Sequence, residues 1–167
     1  RAWNTAEGPG ETEIDAQVEH NGDVRGLLRL EGGVAVSWGE DGDLRVWEEK
    51  SGRCRHRLSA HEGAVKGVTH LDGEVFSFGT DGLIVRWDVN EGRCAARFEG
   101  HSGEVEALIS AGPGRLLSRS KDGTLRTWSA LTGEAIACFE GHTKGVSDAV
   151  YLEDGRLVSC SKDGSAK

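Results

Sequence analysis

SKDGTLRTW, residues 120–128, sets an Asp-Gly pair six residues ahead of a tryptophan, and its opening returns as SKDGSAK at 161–167. Working outward from Asp122-Gly123, the pair recurs as Asp41-Gly42, Asp81-Gly82 and Asp163-Gly164, every 40 or 41 residues. Six residues after the first three aspartates come Trp47, Trp87 and Trp128; 20 or 21 residues before the four come His20, His61, His101 and His142. A valine lies four past each histidine (Val24, Val65, Val105, Val146) and a serine four before each aspartate (Ser37, Ser77, Ser118, Ser159). Offsets held over four copies mark a repeat architecture, which composition alone does not produce.

Between these landmarks lie short runs rich in Val, Leu, Ile and Phe, and none sustains a 3.6-residue period over ten residues, so they read as strands. The third repeat supplies four: VEALIS (105–110), RLLSRS (115–120), TLRTW (124–128) and AIACFE (135–140). The Asp-Gly pair is the hairpin turn between the second and third, where glycine provides positive φ. Gly8, Gly52, Gly92 and Gly133, each five residues past a tryptophan, mark the next hairpin. Four antiparallel strands in about 40 residues make a twisted blade, and stacking blades radially covers both faces of each. The expected fold is all-β, a β-propeller with four blade-equivalents in one chain.

These residues resemble the tryptophan–aspartate (WD) repeat β-propellers. EGHSG (99–103) and EGHTK (140–144) carry the Gly-His pair of that family, and RWD (86–88) its namesake dipeptide. The likeness runs over essentially the whole chain, and the GRLLS and DGTLR phrases are similar to bacterial arrays. Trp47 is followed by Glu and Trp128 by Ser, and Ala60 and Glu19 replace the glycine before His. The resemblance implies a structural hydrogen-bond chain from Trp through Ser or Thr and His to Asp in each blade. Carried over by position, the network takes in His20, Asp41 and Trp47; His61, Asp81 and Trp87; His101, Ser120, Asp122 and Trp128; and His142, Ser161, Asp163 and Trp3. Gly39 and Gly79 stand where Ser120 stands, so the first two chains of bonds are expected to be shortened or completed by water.

A net charge of −8 with acids and bases interleaved argues against a nucleic-acid binder, which needs a basic stripe. No apolar run reaches the roughly 20 residues that span a bilayer. Cys54, Cys94, Cys138 and Cys160 show no metal-binding spacing and read as reduced thiols of a cytoplasmic protein. Four His/Asp/Ser sets do not point to a hydrolytic triad, because one active site does not need four copies. Glu40-Asp41-Gly42-Asp43 loosely resembles a calcium loop but lacks the oxygens at set spacing, so a hairpin turn is the expectation. No catalytic residue, metal site or cofactor is expected. Arg119 is the exception in the pattern, since its counterparts are Trp38, Phe78 and Cys160. It either snorkels beside an aromatic or forms an anion site in a central channel.

With Trp3 aligned to the other tryptophans, residues 1–19 read as the third and fourth strands of a blade, with EIDAQVE (13–19) the outermost. Residues 20–60, 61–100 and 101–141 are whole blades, and 142–167 are the first and second strands of another. Two chains joined head to tail would then close an eight-bladed ring with two composite blades. A self-closed four-bladed ring and a piece of a longer propeller are the alternatives. The family resemblance implies partner binding on the face of the His loops and Asp-Gly turns, at the third and fifth residues after His and the one before Asp. Those positions are Asp23, Arg25 and Glu40; Ala64, Lys66 and Thr80; Glu104, Glu106 and Lys121; and Gly145, Ser147 and Lys162. Polar and mixed in charge, they suit a charged peptide or protein loop, so the chain is expected to be a scaffold. A sensor or assembly module of a larger protein, or less readily a propeller enzyme, is the alternative.

Overall fold

The computed structural model describes residues 19–152 and 155–167, together with the backbone of Ala2–Trp3 and Glu11–Thr12. Its chain order is β1 (Ala2–Trp3), β2 (Glu11–Thr12), β3 (Val24–Leu30), β4 (Val34–Gly39), β5 (Asp43–Glu48), β6 (Cys54–Ser59), β7 (Val65–Leu71) and β8 (Glu74–Gly79). There follow β9 (Ile84–Asp88), β10 (Arg93–Phe98), β11 (Val105–Ser110), β12 (Arg115–Ser120), β13 (Leu125–Ser129), β14 (Ala135–Phe139), β15 (Val146–Tyr151) and β16 (Leu157–Ser161). Strands β3 to β6, β7 to β10 and β11 to β14 form three four-stranded antiparallel blades, while β1–β2 and β15–β16 are separate two-stranded sheets. Among the described residues no pairing joins those two sheets, which leaves the fourth blade's sheet unclosed.

The core lies between blades. Val36, Leu44, Val46 and Leu58 of the first pack with Val65, Val85 and Trp87 of the second. Phe76, Ile84 and Phe98 of the second pack with Val105, Leu108, Leu116 and Trp128 of the third. Leu117 and Leu125 then meet Val146 of the following half-blade. No blade can bury both its faces alone, and stability is carried from one repeat to its neighbour.

Two backbone devices fix how neighbouring blades meet. In the Asp-Gly turns, Gly42, Gly82 and Gly123 have φ of 77°, 79° and 86°, in the left-handed region. A Cβ on any of them would also stand 2.6–2.8 Å from the carbonyl of the next blade's His61, His101 or His142. Glycine is therefore required twice, for the turn and for the close approach of the next His loop. At Gly164 a Cβ would meet nothing within 4 Å.

The second device is a β-bulge in every innermost strand, where register shifts between Val24 and Gly26, Val65 and Gly67, Val105 and Ala107, and Val146 and Asp148. The unpaired residues are thus Arg25, Lys66, Glu106 and Ser147. Gly26 and Gly67 lie beneath Trp38 and Phe78, with no room for a side chain between them.

Two end segments depart from the sequence reading. Residues 165–167 already turn back on β16: Lys167 N donates to Ser159 O at 2.9 Å, and Ser159 N to Lys167 O at 2.8 Å. Cys160 faces Ala166 as Arg119 faces Leu125 one blade earlier, so a third strand begins here, where only two strands were expected. At the other end β1 pairs with β2 through Trp3 and Glu11, while the expected outer strand over 13–19 falls, except for Glu19, outside the described residues.

Gly123→Ala is expected to lose about 1–2 kcal/mol to the left-handed backbone alone, and more from the clash with His142. Gly33, at φ 76° with open space around it, is the control that feels only the backbone cost. Equal losses in chemical denaturation would show that the inter-blade approach contributes nothing.

Candidate functional site

In each of the three blades the indole of the third strand donates to a serine of the second: Trp47 Nε1 to Ser37 Oγ at 2.9 Å, and Trp87 to Ser77 and Trp128 to Ser118, both at 2.8 Å. The serine hydroxyl meets the histidine Nε2 at 2.7 Å in all three (His20, His61, His101). The histidine Nδ1 in turn faces Asp41 at 2.9 Å, Asp81 at 3.0 Å and Asp122 at 2.8 Å. In blades two and three the roles follow from the donor count. Indole N–H gives to Oγ, O–H gives to Nε2, and Nδ1–H gives to carboxylate, which satisfies every group with a neutral imidazole. The same aspartate caps the His loop, accepting from the amides of Asn21, Glu62 and Ser102. One buried carboxylate thereby ties together the His loop, the Asp-Gly turn and the blade interior.

The hydroxyl in this chain is Ser118, four residues before Asp, and not Ser120. Ser120 Oγ instead donates to Gly103 O at 3.0 Å and accepts from the Asp122 amide, bracing the turn. Ser161 does the same work in the last repeat, donating to Lys144 O at 2.9 Å and accepting from the Asp163 amide at 3.2 Å. The expectation of shortened or water-completed chains at Gly39 and Gly79 is overturned for the same reason, since Ser37 and Ser77 complete them. In the fourth repeat His142 Nε2 meets Ser159 Oγ at 2.9 Å and His142 Nδ1 meets Asp163 at 3.0 Å. The side chain of Trp3 lies outside the described residues.

Burial and bonding compete at these acids. Burial pushes the Asp41 carboxyl up, but the bonds from His20 and the Asn21 and Asp43 amides outweigh it and hold it at about 2. Partial burial also pushes Asp81 and Asp122 up, yet both are held below the usual carboxylate range, by His61 and by Thr124 with His101. Asp163 is held low first by the Ser165 hydroxyl and then by the Thr143 amide. Burial lowers His101, against the opposing pull of Asp122, which agrees with its neutral role. Blade one adds Arg45, whose guanidinium lies 3.0 Å from Asp41 and gives its second nitrogen to Glu19 O at 2.8 Å.

Above these chains sits the rim. The carbonyl three residues after each histidine accepts from the amide one residue before each aspartate: Glu40 N to Asp23 O, Thr80 N to Ala64 O, Lys121 N to Glu104 O and Lys162 N to Gly145 O, at 2.9–3.1 Å. The fifth position after His is the bulge residue, which turns its side chain out of the strand's alternation. The structure thus brings two of each three predicted rim positions into backbone contact and sets the third between them. Arg25 pairs with Glu40. Lys66 lies 3.2 Å from both Glu104 and Glu106 of the next blade, and Lys121 2.8 Å from Glu104, a quartet that spans two blades.

The other candidates are accounted for locally. In the loop at 40–43, Glu40 is held by Arg25, Asp41 by His20, and Asp43 by Ser59 at 2.5 Å and Arg57 at 2.6 Å. Those oxygens are engaged by side chains of the same blade. Arg119 donates to Val146 O at 3.3 Å, a strut to the next innermost strand. Asp148 shares its cavity of about 180 Å³, which disfavours an anion there.

Residues 92–129 and 133–167 match the family model of the WD domain, G-beta repeat. Among curated proteins there is no match. The computationally designed Ika8 protein is 27% identical with a TM-score of 0.75, over 89% of this chain and 46% of that one. The designed Ika4 protein is 26% identical with a TM-score of 0.74, over 95% and 96%. The WD40 β-propeller domain of Doa1 is 27% identical with a TM-score of 0.65, over 89% and 50%. The chain therefore spans about half the length of the Ika8 and Doa1 chains and nearly all of Ika4.

Acid should unfold the protein by way of these chains. A carboxyl whose folded pKa is depressed gives stability that is present above its unfolded value, near 3.9, and is lost as pH falls through the folded value. His101, also depressed, begins to oppose folding below about 6.5. Denaturation midpoints should therefore decline gently from pH 7 to 5 and steeply from about 4 towards 2. Ser118→Ala should cost about 1–3 kcal/mol by orphaning Trp128 and His101, whereas Ser120→Ala should cost less. The reverse ranking would return Ser120 to the network.

Proposed function

Because two of its repeats match the WD-repeat model and its fold resembles a WD40 propeller, we propose that the chain is a WD-repeat protein, a non-catalytic scaffold that binds a charged peptide or protein loop on the His-loop and Asp-Gly rim. WD40 propellers generally mediate protein interactions, and the bulged rim is the observation that carries the reading here. Four bulges direct one side chain per repeat (Arg25, Lys66, Glu106, Ser147) onto one surface held rigid by backbone clamps. Among the twelve rim positions four cations stand against four anions, although the whole chain carries −8. A partner of both signs, whose charges can exchange with the Lys66–Glu104–Glu106–Lys121 quartet, fits such a surface better than an apolar helix. The four repeat histidines and their four aspartates are engaged in the blades' hydrogen-bond chains, which supports a role in binding. Four free thiols suit a reducing setting such as the cytoplasm.

The two ends of the arc support a head-to-tail dimer. Val24 is 58% exposed where its repeat counterparts Val65, Val105 and Val146 are 0–2% exposed, and Leu27 is 69% exposed where Leu108 is 5%. At the other end Val158 is 37% exposed where Val36, Phe76 and Leu117 are 0–1%. Within the chain the innermost strand of one blade packs on the first two strands of the blade before it, as β7 does on β3 and β4. The open face of β3 thus asks for a β15–β16 sheet, and β15–β16 asks for a β3. A second copy supplies both, and two arcs make an eight-bladed ring.

Light scattering on the 17.9 kDa chain should give twice that mass, and Leu27→Asp or Val158→Asp should return it to a single chain. A single-chain mass for the unaltered protein at micromolar concentration overturns the dimer. For the rim, an array of acidic, basic and mixed-charge peptides should yield mixed-charge binders. Lys66→Glu or Glu106→Lys should weaken them about tenfold, equivalent to about 1.4 kcal/mol. Binders indifferent to both reversals would put the binding surface elsewhere.

A further inference from the structure

We propose that Asn21-Gly22, in the first His loop, is a site of spontaneous covalent modification. The Asn21 side chain closes on the Gly22 nitrogen, loses ammonia and reopens with water to aspartate or isoaspartate. The inference is independent of the dimer and of the partner read from the rim.

Such a reaction needs a side-chain amide free to turn, a following backbone nitrogen free to attack, and no side chain between them. Asn21 is exposed, and among the described residues its side-chain amide has no hydrogen bond. Its backbone N–H is held by Asp41 at 2.9 Å, which leaves rotation about Cα–Cβ open. The Gly22 nitrogen has no acceptor among the described residues. Gly22 stands at φ 134°, a backbone that a residue with a Cβ rarely adopts, so the loop itself calls for glycine here. Gly63 and Gly103, also two residues past a histidine, lie outside that region and follow Glu62 and Ser102, which carry no amide side chain. Glu62, Ser102 and Thr143 are exposed although the histidine carbonyl before each is met by Gly42, Gly82 or Gly123 of the preceding blade. Exposure at this position is therefore a property of the loop and not of an open end.

The competing sites are closed or slower. Asn90 O accepts from His56 Nε2 at 3.1 Å, and the nitrogen that would attack there, Glu91 N, already donates to Asp88 Oδ1 at 3.1 Å. Asp41, Asp81, Asp122 and Asp163 also precede glycine, but each carboxylate holds a histidine ring and a loop amide. Asp72, exposed before Gly73 in the β7–β8 turn, is an ionised acid and so a poorer electrophile than an amide. At Asn21 the Gly22 nitrogen bonds to Cγ, and the side-chain nitrogen leaves as ammonia with the Gly22 proton. Water then breaks either C–N bond of the five-membered ring. Opening at Cγ leaves aspartate at position 21, and opening at the backbone carbonyl routes the main chain through Cβ as isoaspartate. Either product adds a carboxylate next to Gly22, where a Cβ would stand 3.3 Å from Glu40 Cβ, in a chain already at −8. The isoaspartate also lengthens the loop just ahead of Asp23, whose carbonyl clamps Glu40 N. The first sector of the rim thus grows more acidic as the protein ages.

The test incubates the full, folded chain at neutral pH and follows the peptide holding residue 21 by mass and by methyl transfer from a purified isoaspartyl methyltransferase. The expected result is a gain of one mass unit with isoaspartate at residue 21. It should accumulate about tenfold faster than any change at Asn90, whose Glu91 nitrogen must first break one hydrogen bond. Conversion should quicken as pH rises, because the attacking nitrogen has to lose its proton. Asn21→Gln, whose longer side chain closes a six-membered ring far more slowly, should abolish both signals on that peptide while tryptophan fluorescence and the melting curve stay native. An Asn21 that is intact at the end of the incubation, or that converts no faster than Asn90, overturns the proposal. Conversion to aspartate alone, with no isoaspartate, overturns the ring-closing route and with it the role given to Gly22.

Discussion

Everything in this molecule depends on one arrangement, an imidazole held between a hydroxyl and a carboxylate inside each blade. Burying an indole N–H, an imidazole and a carboxylate is costly unless each finds a partner. Here they partner one another in a line that runs from the blade interior to the rim. The aspartate at the outer end also takes the amides of the His loop and of its own turn, so His loop and hairpin cannot move independently. A rim built on such a base is rigid because of what lies beneath it and needs no packing of its own.

That base is local to a blade, whereas the apolar core is shared between blades. The division has a consequence for cooperativity. Each blade can form its hydrogen-bond chain alone, but Leu58 and Phe98 are buried only when the next blade brings Trp87 and Trp128 against them. Stability therefore accumulates along the arc and is weakest at its ends, as in other one-dimensional repeat arrays. The exposed Val24, Leu27, Phe139 and Val158 stand at positions that are interior in the other blades, and their sequence does not differ in kind from their buried counterparts.

For that reason the sequence disclosed the blade more fully than the surface. Asp-Gly turns, His loops and tryptophans were legible because each answers to a backbone or burial demand that repeats with the blade. The identity of the bonding serine was harder, because Ser118 and Ser120 are two apart and share one face of a strand. A signal existed: a serine stands four before Asp in all four repeats, whereas two before Asp the first two repeats have Gly39 and Gly79. The bulges left no such trace. Arg25, Lys66, Glu106 and Ser147 have nothing in common as residue types, and their shared exit from the strand follows from pairing, which composition does not report. Arg119 was legible as an exception but not as a strut, since its acceptor is a backbone carbonyl of the next blade.

The rotation from blade to blade follows from the same contacts. The glycine of each Asp-Gly turn meets the carbonyl of the next His loop, and the next innermost strand packs on the two strands before it. Both contacts recur with the same backbone geometry at each junction, so the angle between blades has little freedom to vary. Were it about 90°, as a four-bladed ring demands, the four blade-equivalents would return to their starting point and β1–β2 would lie beside β16. They form separate sheets, and the arc covers 46% of the Ika8 chain. Among the described residues the two end sheets share no strand pairing, and both inter-blade contacts are of a kind that another blade of the same pattern can continue. The open faces at its two ends, at Val24 and Leu27 and at Val158, are positions whose counterparts pack on one another inside the chain.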